Sequence, residues 1–159
     1  MAVPPFERFY EAHGAEIFRY LVRLLGRQAA EDAFQETFLR ALRAYADLRH
    51  AEHLRAWVFT IATRVALDEH RRRRSPKTQV TDCYLEENGS GLATGDDPPA
   101  YAELAELADN LPHTERAAVV LRYGYDLPYA DIAAALGSSE DAARQATSSG
   151  VRRLRRRMT

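Results

Sequence analysis

Two blocks of arginine carry most of the chemistry that this sequence offers. The first block spans residues 71–74, and the second lies near the end of the chain and consists of Arg152, Arg153, Arg155, Arg156 and Arg157. Clustered guanidinium groups bind nucleic-acid phosphates, although such a block can also be a solvated helix end stabilised by the helix dipole. Acids dominate between the blocks, so the net charge of −1 conceals two basic regions. Because each block closes a predicted helical unit, the pattern favours a nucleic-acid partner.

No arrangement of residues in the sequence is typical of a catalytic or metal site. His50 and His53 have loose metal-ligand spacing and Cys83 is the single thiol, whereas zinc needs four protein ligands, or three and a water. No CxxC, HExxH or phosphate-cradling glycine loop occurs, and no carboxylate pattern of a di-iron bundle recurs. We therefore expect a protein that is not an enzyme and that uses no metal and no cofactor.

Length and composition limit the class of protein. The chain has 159 residues, of which 46% are hydrophobic and 28% charged, and these values are ordinary for a globular protein. A single cysteine excludes an internal disulfide. The longest apolar stretch, residues 56–67, is too short to cross a bilayer, and residues 1–14 lack the apolar core of a signal peptide. These features predict a cytoplasmic protein without membrane insertion.

Apolar spacing predicts three helices in the first part of the chain, over residues 4–26, 29–45 and 54–72. Pro4 and Pro5 suit the start of the first helix, and Gly26 suits its end. Residues at three-to-four spacing mark the faces that we expect to be buried, among them Phe9, Tyr10, Phe38, Leu42, Trp57, Val58 and Val65. No period-two pattern of a strand occurs, so this part is predicted to be all-α.

Residues 75–100 differ in composition from both flanks. They are rich in acidic and turn-forming residues, including Ser75-Pro76, Asn88-Gly89-Ser90-Gly91 and Pro98-Pro99. Such a long stretch without helical spacing is unusual inside one compact domain. We therefore predict two domains, residues 1–74 and 101–159, which are joined by an acidic flexible linker and loosely coupled.

The second part is also predicted to be helical, over residues 101–109, 113–123, 129–136 and from Ser139 to about residue 157. Its core candidates include Val120, Leu121 and Tyr123, and Ser139 suits the N-cap of the last helix. A short helix, a glycine turn and a longer basic helix are typical of a helix-turn-helix, although plain helical hairpins share the pattern. The predicted fold class is all-α, with two small helical domains.

The chain resembles the small bacterial RNA polymerase sigma factors of the extracytoplasmic-function (ECF) group, within the sigma-70 family. Residues 30–41 are similar to the family's core-polymerase-binding helix, and residues 54–62, 66–68 and 71–74 to its promoter-melting segment. Residues 111–137, with Leu111-Pro112 and Leu136-Gly137 at the ends, resemble its domain for the −35 element. The resemblance implies sigma region 2 in the first domain and the helix-turn-helix of region 4 in the second.

The resemblance also implies the function and the partners. A sigma factor binds bacterial core RNA polymerase, directs it to the −10 and −35 promoter elements and assists promoter opening at the nucleoid. Its DNA partners are the duplex and the melted non-template strand, and family members are commonly held by an anti-sigma factor. The polymerase contact is assigned to Asp32, Gln35, Glu36, Leu39 and Arg40. Spacing of three and four places most of these on one side of a helix, where a solvated face is the alternative.

The DNA contacts follow from the same resemblance and from side-chain chemistry. The −10 and melting contacts are assigned to Arg49, His53, Arg55, Arg64, Arg71, Arg72, Arg73 and Arg74, with Arg64 where family members often carry Asn. The −35 contacts are assigned to Ser139, Arg144, Gln145, Ser148, Arg152, Arg155 and Arg156. Arg and Gln can donate to base edges, although Arg144 could instead pair with Glu140 four residues earlier. We expect Trp57 in the core rather than as a platform for stacked bases.

The last helix departs from the family pattern over residues 141–151. Gly150 in a helix interior costs about 1 kcal/mol relative to Ala, and Thr147 offers less apolar area than Leu. We expect a less robust recognition helix, whose DNA preference cannot be carried over from the family. Two alternatives remain: a stand-alone helix-turn-helix regulator that binds duplex DNA without polymerase, and a sigma-like interaction protein that has lost promoter recognition.

Overall fold

The computed structural model describes residues 3–74 and 111–158, which form six α-helices and, within these two ranges, no strand. The helices are α1 (Phe6–Leu25), α2 (Arg27–Tyr45), α3 (Leu54–Arg74), α4 (His113–Val119), α5 (Tyr129–Leu136) and α6 (Glu140–Met158). This architecture confirms the predicted all-α class. The predicted linker over residues 75–100 with Cys83, and the predicted helix over residues 101–109, lie outside the described residues.

Residues 3–74, called the first half below, form a three-helix bundle with an aromatic core. Gly26 alone joins α1 to α2, and its φ of 85° is a conformation that favours glycine. The Phe9 ring centroid lies 6.1 Å from that of Phe38, 5.3 Å from that of Tyr45 and 5.7 Å from that of Trp57. Trp57 therefore packs against the core, as predicted.

Residues 111–158, the second half, form the predicted helix-turn-helix. α5 ends at Gly137, whose φ of 66° is left-handed, and the turn leads directly to α6. The Ser139 hydroxyl accepts a hydrogen bond from the backbone N–H of Ala142 at 3.1 Å, which satisfies a free donor in the first turn of α6. Ser139 is thus the N-cap, as the sequence predicted.

Gly150 allows α6 to approach α4 closely. A Cβ atom at this position would lie 2.5 Å from Val119 Cγ2, far inside van der Waals contact. On the same side of α6, Ala143 and Thr147 are buried, and the Thr147 hydroxyl donates to the Ala143 carbonyl at 2.9 Å. The expectation of a less robust helix did not consider this packing. The small residues let α6 pack tightly against its neighbour α4.

The two halves share one hydrophobic core in this structure, a contact that the prediction of two loosely coupled domains did not include. α3 packs against α5, and both α1 and α3 contact α4. Tyr125 follows a single π-helical turn (Val120–Gly124) and is buried, with its ring centroid 4.9 Å from that of Phe59 and 5.6 Å from that of Tyr20. The sequence did not indicate this contact, because neither Phe59 nor Tyr125 belongs to a predicted apolar stripe.

Three residues that the sequence assigned to the core lie at the surface. Tyr10 is 43%, Leu42 50% and Tyr123 58% exposed. A π-helical turn contains an extra residue, which rotates the side chains that follow it. As a result Tyr125, and not Tyr123, faces the interior.

Candidate polymerase and DNA interfaces

The residues predicted to contact polymerase lie along the outer side of α2. Leu39 is 47% exposed, and Leu42, which the sequence had placed in the core, lies one turn further on and is 50% exposed. Two exposed leucines beside carboxylates are typical of a protein-binding surface with an apolar centre and a charged rim. We call this surface the α2 face; it comprises Asp32, Gln35, Glu36, Leu39, Arg40 and Leu42.

An acidic groove of 350 Å³ lies beside the α2 face, between α2 and α3. Arg40 crosses it, with its Nε 2.8 Å from Glu36 Oε1 and its Nη1 3.7 Å from Asp68 Oδ2. The charged residues that line the groove are Asp32, Glu36, Arg40, Asp68, Glu69 and Arg72. Because carboxylates outnumber guanidinium groups, the groove suits a partner with basic side chains.

The connector between α2 and α3 holds two of the predicted −10 contacts. Arg49 and His53 are exposed. His53 has a φ of 62°, which is uncommon for a residue with a side chain, and its carbonyl accepts the Trp57 N–H at 2.9 Å. His53 therefore lies at the N-terminus of α3 and is accessible to a ligand.

Arg55 and Arg64 of α3, both predicted −10 contacts, each donate a hydrogen bond to a backbone carbonyl of the second half. Arg55 Nη2 lies 2.7 Å from Glu16 Oε1 and donates to the Tyr125 carbonyl at 2.9 Å. Arg64 Nη2 donates to the Ala134 carbonyl at 3.2 Å. Both guanidinium groups are thus engaged in contacts between or within the halves.

The end of α3 carries the first arginine block. Arg71 Nη1 lies 3.8 Å from Asp68 Oδ1, and Arg72 Nη2 lies 3.3 Å from Glu69 Oε2. Arg71 and Arg72 are exposed, and such surface ion pairs contribute little to stability and open at small cost. The side chains of Arg73 and Arg74 lie outside the described residues.

Burial dominates the electrostatics near Arg55. Desolvation lowers the pKa of His13, with Arg55 lowering it further and Glu16 opposing both. Desolvation also raises the pKa of the Tyr20 phenol far above its usual range, while the hydrogen bond with Thr63 opposes this shift. Near neutral pH, Tyr20 is therefore uncharged.

The predicted −35 contacts lie along α6 and, for Ser139, at its N-cap. Arg144 pairs with Glu140 at 2.9 Å and with Asp141 at 3.4 Å, and its guanidinium carbon lies 5.2 Å from the Tyr129 ring centroid. The pairing of Arg144 with Glu140, which the sequence left open as an alternative to a DNA contact, is thus present in the structure. Gln145 and Ser148 are exposed.

Farther along α6, the second arginine block divides into two kinds of side chain. Arg153 Nε lies 2.9 Å from Glu115 Oε2 and ties α6 to α4. Arg152 is exposed and donates to Ser149 Oγ at 3.4 Å, and Arg155 and Arg156 are exposed too. We call the outward side of α6 the α6 face; it comprises Arg144, Gln145, Ser148, Arg152, Arg155 and Arg156.

Sequence reasoning missed the residues that join the halves. Arg23 is 5% exposed, and its Nη1 donates to the Tyr125 hydroxyl at 2.7 Å. The available signal was the nearly continuous apolar run of residues 56–61, which makes α3 apolar on more than one side. A second packing partner for α3 could have been inferred from that run, but not its identity.

None of the helices described in residues 3–74 and 111–158 is long and apolar enough to span a membrane. In the same ranges, no group of three or more His, Cys, Asp or Glu residues could hold a metal ion.

Comparison with known proteins identifies both halves. Residues 9–75 match the model for sigma-70 region 2, and residues 107–156 match the model for sigma-70 region 4. The ECF RNA polymerase sigma factor SigL of Mycobacterium tuberculosis is 34% identical over 92% of this chain and 84% of its own length. SigE of Mycolicibacterium smegmatis is 31% identical over 97% of this chain, which spans 62% of that relative.

A solved structure shows the same fold. The sigma factor RpoE of Bartonella quintana, crystallised with the anti-sigma factor NepR, has a TM-score of 0.74 and is 20% identical, with 95% of this chain and 94% of that chain covered.

Proposed function

We propose the surfaces through which this chain binds core polymerase and promoter DNA. The premise is that the chain belongs to the ECF RNA polymerase sigma factors of the sigma-70 family. It is a transcription initiation factor that directs RNA polymerase to promoters, and not an enzyme. In the proposal, the α2 face binds core polymerase, the connector and α3 contact the −10 region, and the α6 face contacts the −35 element.

The exposed leucine pair on α2 carries the polymerase part of the proposal. Leu39 and Leu42 are each about half exposed, although α2 buries its opposite side in the core. Burial of both under a partner would remove apolar area from water, and Asp32 and Glu36 would pair with basic residues of that partner. The partner implied by the family is the clamp coiled coil of the largest core subunit.

The DNA part of the proposal divides between phosphate and base contacts. Arg152, Arg155 and Arg156 suit phosphates, since they are exposed cations on one helix. Arg144 and Gln145, in the first turns of α6, have the donors that bind purine edges in the major groove. In the first half, Arg49 and His53 are exposed for the melted strand.

Co-elution with bacterial core RNA polymerase on size exclusion tests the α2 face. We expect the wild type to bind and the double charge reversal D32K/E36K to lose at least ten-fold in affinity. The matched control is E7K/E11K, which makes the same change at the same four-residue spacing on exposed positions of α1. L39A/L42A should weaken binding comparably, because exposed apolar residues at the centre of an interface contribute most.

The outcomes distinguish the alternatives. Equal loss with E7K/E11K would show that net charge, and not the α2 face, governs binding. No binding by a well-folded wild type would contradict the polymerase part and favour a stand-alone DNA-binding regulator or an interaction protein. Duplex-DNA binding without polymerase would then separate those two.

The proposal extends to control and location. An anti-sigma factor is a proposed further partner, supported by the similar fold of RpoE, which was crystallised with NepR. The proposal implies a cytoplasmic, nucleoid-associated protein, because polymerase and promoter DNA are found there.

A further inference from the structure

We propose that Arg144 recognises a G·C base pair and owes its selectivity to the carboxylates of Glu140 and Asp141. The ring of Tyr129 positions the Arg144 guanidinium for this contact. These roles rest on the proposed −35 contact of Arg144 and add to it the base pair that is selected.

Three side chains hold the Arg144 guanidinium at the start of α6. Its Nη2 lies 2.9 Å from Glu140 Oε1, and its Nη1 lies 3.4 Å from Asp141 Oδ1. Its central carbon lies 5.2 Å from the Tyr129 ring centroid, within the range of a cation–π interaction. The Arg144 side chain is nevertheless 51% exposed, so it is held in place and accessible to DNA at the same time.

The Tyr129 ring is itself held by a second guanidinium group. Arg122 Cζ lies 4.5 Å from the ring centroid, and Arg122 Nη1 donates to the Leu127 carbonyl at 3.2 Å. Tyr129 is half-buried and is the first residue of α5. Its ring therefore gives Arg144 a fixed surface on the neighbouring helix, which reduces the side-chain entropy that Arg144 loses when it binds a base.

The two carboxylates change what Arg144 can bind. Glu140 and Asp141 are exposed and lie in the first turn of α6, the part of a recognition helix that contacts base edges in the major groove. A phosphate that approaches Arg144 also approaches both carboxylates, and like-charge repulsion opposes its binding. A base edge has no net charge and avoids this repulsion. The carboxylates should therefore weaken sequence-independent binding more than base-specific binding.

The donors and acceptors of this group of side chains match a G·C base pair. Guanine presents two neighbouring acceptors, O6 and N7, which suit the planar fork of Arg144. The paired cytosine presents the N4 amine, a donor that the carboxylate of Asp141 or Glu140 can accept. In an A·T pair the two acceptors of the major groove lie on different bases, so one guanidinium fork does not fit both. G·C is thus the base pair that we expect this group to select.

A purely structural role for the two carboxylates predicts the opposite result. Acidic residues in the first turn stabilise a helix through its dipole. In that case, neutralisation of Glu140 and Asp141 would loosen α6 and weaken its binding to every DNA sequence. If the carboxylates oppose phosphates, neutralisation strengthens binding to DNA that lacks the preferred base pair. The sign of the change separates the two roles.

Binding to a duplex without guanine tests the carboxylates. The probe is a fluorescent 20-base-pair duplex of A·T pairs only, titrated with the full chain. We expect E140Q/D141N to bind it about five-fold more tightly than the wild type, because two repelling charges are removed. The matched control E7Q/E11Q removes two charges from exposed positions of α1 and should change the affinity by less than about two-fold. Weaker or unchanged binding by E140Q/D141N, or equal tightening by the control, would overturn the proposal.

Selection from random DNA tests the base pair. A library of duplexes with 40 randomised base pairs is enriched by the chain bound to core polymerase and, in parallel, by the free chain. Positions whose base preference disappears in R144A are those that Arg144 recognises. We expect G·C at such a position, with a preference of about ten-fold over the other base pairs. A preference for A·T there would overturn the proposal.

The same selection tests the positioning role of Tyr129. Y129L and E140Q/D141N should each reduce the preference at the Arg144 position to about two-fold or less and leave the other positions unchanged. Y129F keeps the face of the ring and should keep the preference. An equal loss at every position in Y129L, or no rescue by Y129F, would assign Tyr129 a structural role only.

The outcomes distinguish this proposal from the proposed function. If R144A alters no position in either arm, the proposed −35 contact of Arg144 is wrong, and the selection of G·C falls with it. If R144A alters a position but E140Q/D141N and Y129L do not, the −35 contact stands and only the roles of the carboxylates and the ring are overturned. If the chain does not bind polymerase, the free-chain arm still decides.

Discussion

The two halves of this sigma factor place the arginines of the proposed DNA contacts differently. In the first half, Arg55 and Arg64 donate to carbonyls of the second half. In the second half, Arg144 and Arg152 contact side chains of their own half. Arg144 pairs with Glu140 and lies over the Tyr129 ring, and Arg152 donates to Ser149 Oγ. A side chain suited to phosphates is equally suited to peptide carbonyls, so its type alone does not say which of the two it binds in the free chain.

The difference follows from what each surface is made of. α3 is apolar on more than one side, and its second apolar side accepts Tyr125, which brings Arg55 close to a carbonyl of the second half. α6 is apolar on one side only, at Ala143, Val151 and Leu154, so its outer side remains in water. The packing of apolar side chains decides which backbone carbonyls the arginines can reach, and their hydrogen bonds follow from that packing.

Replacement of Tyr125 should have the largest effect on stability. Y125A removes a buried ring between Tyr20 and Phe59 and leaves Arg23 with one hydrogen bond fewer, so we expect a loss of about 3–5 kcal/mol in the free energy of unfolding. Y123A, two residues away and 58% exposed, should cost less than about 0.5 kcal/mol. Urea unfolding of both variants measures the contrast, and equal losses would refute the shared core.

The close approach of α6 to α4 predicts a change of sign at Gly150. Helix propensity alone would make G150A more stable by about 1 kcal/mol, whereas overpacking against Val119 should make it less stable by about 1–3 kcal/mol. Thermal unfolding decides between the two. In a V119A background, G150A should cost much less stability than it does in the wild type. Stabilisation by G150A in the wild type would show that the helices lie farther apart.

The different placement of the arginines predicts different salt dependence. R152A should weaken duplex-DNA binding modestly and reduce the slope of log K against log salt by about 1, because it removes one exposed phosphate contact. R64A should change that slope less, because Arg64 Nη2 already donates to the Ala134 carbonyl at 3.2 Å. Titration at several salt concentrations compares them, and an equal change in slope would mean that both surfaces are open in the free chain.

The smallest expected effect is a dependence of stability on the protonation of His13. Burial lowers its pKa in the folded chain, so the unfolded chain binds more protons as the pH falls through about 6.5. The stability contributed by neutral His13 is therefore present above this pH and is lost below it. Thermal unfolding between pH 7.5 and 5.5 should show a slightly smaller loss for H13Q than for the wild type, and a larger loss would contradict the direction of the shift.

Local sequence determined the helices and the helix-turn-helix of this protein. Pro5, Gly26, Gly137 and Ser139 set helix ends through backbone and capping preferences, which act between residues a few positions apart. The same applies to the polar face of α2, because helical periodicity alone brings Asp32, Gln35, Glu36 and Leu39 to one side.

Tertiary structure alone decided how the halves meet and what that does to the candidate sites. Tyr125 follows a π-helical turn, and its burial depends on Tyr20 and Phe59, which lie far away in the sequence. The close packing of Gly150 of α6 against Val119 was likewise evident only from the tertiary structure. Long-range packing selects which apolar residues are buried, and thereby which backbone carbonyls the arginines contact, whereas short-range patterns specify only the elements that carry them.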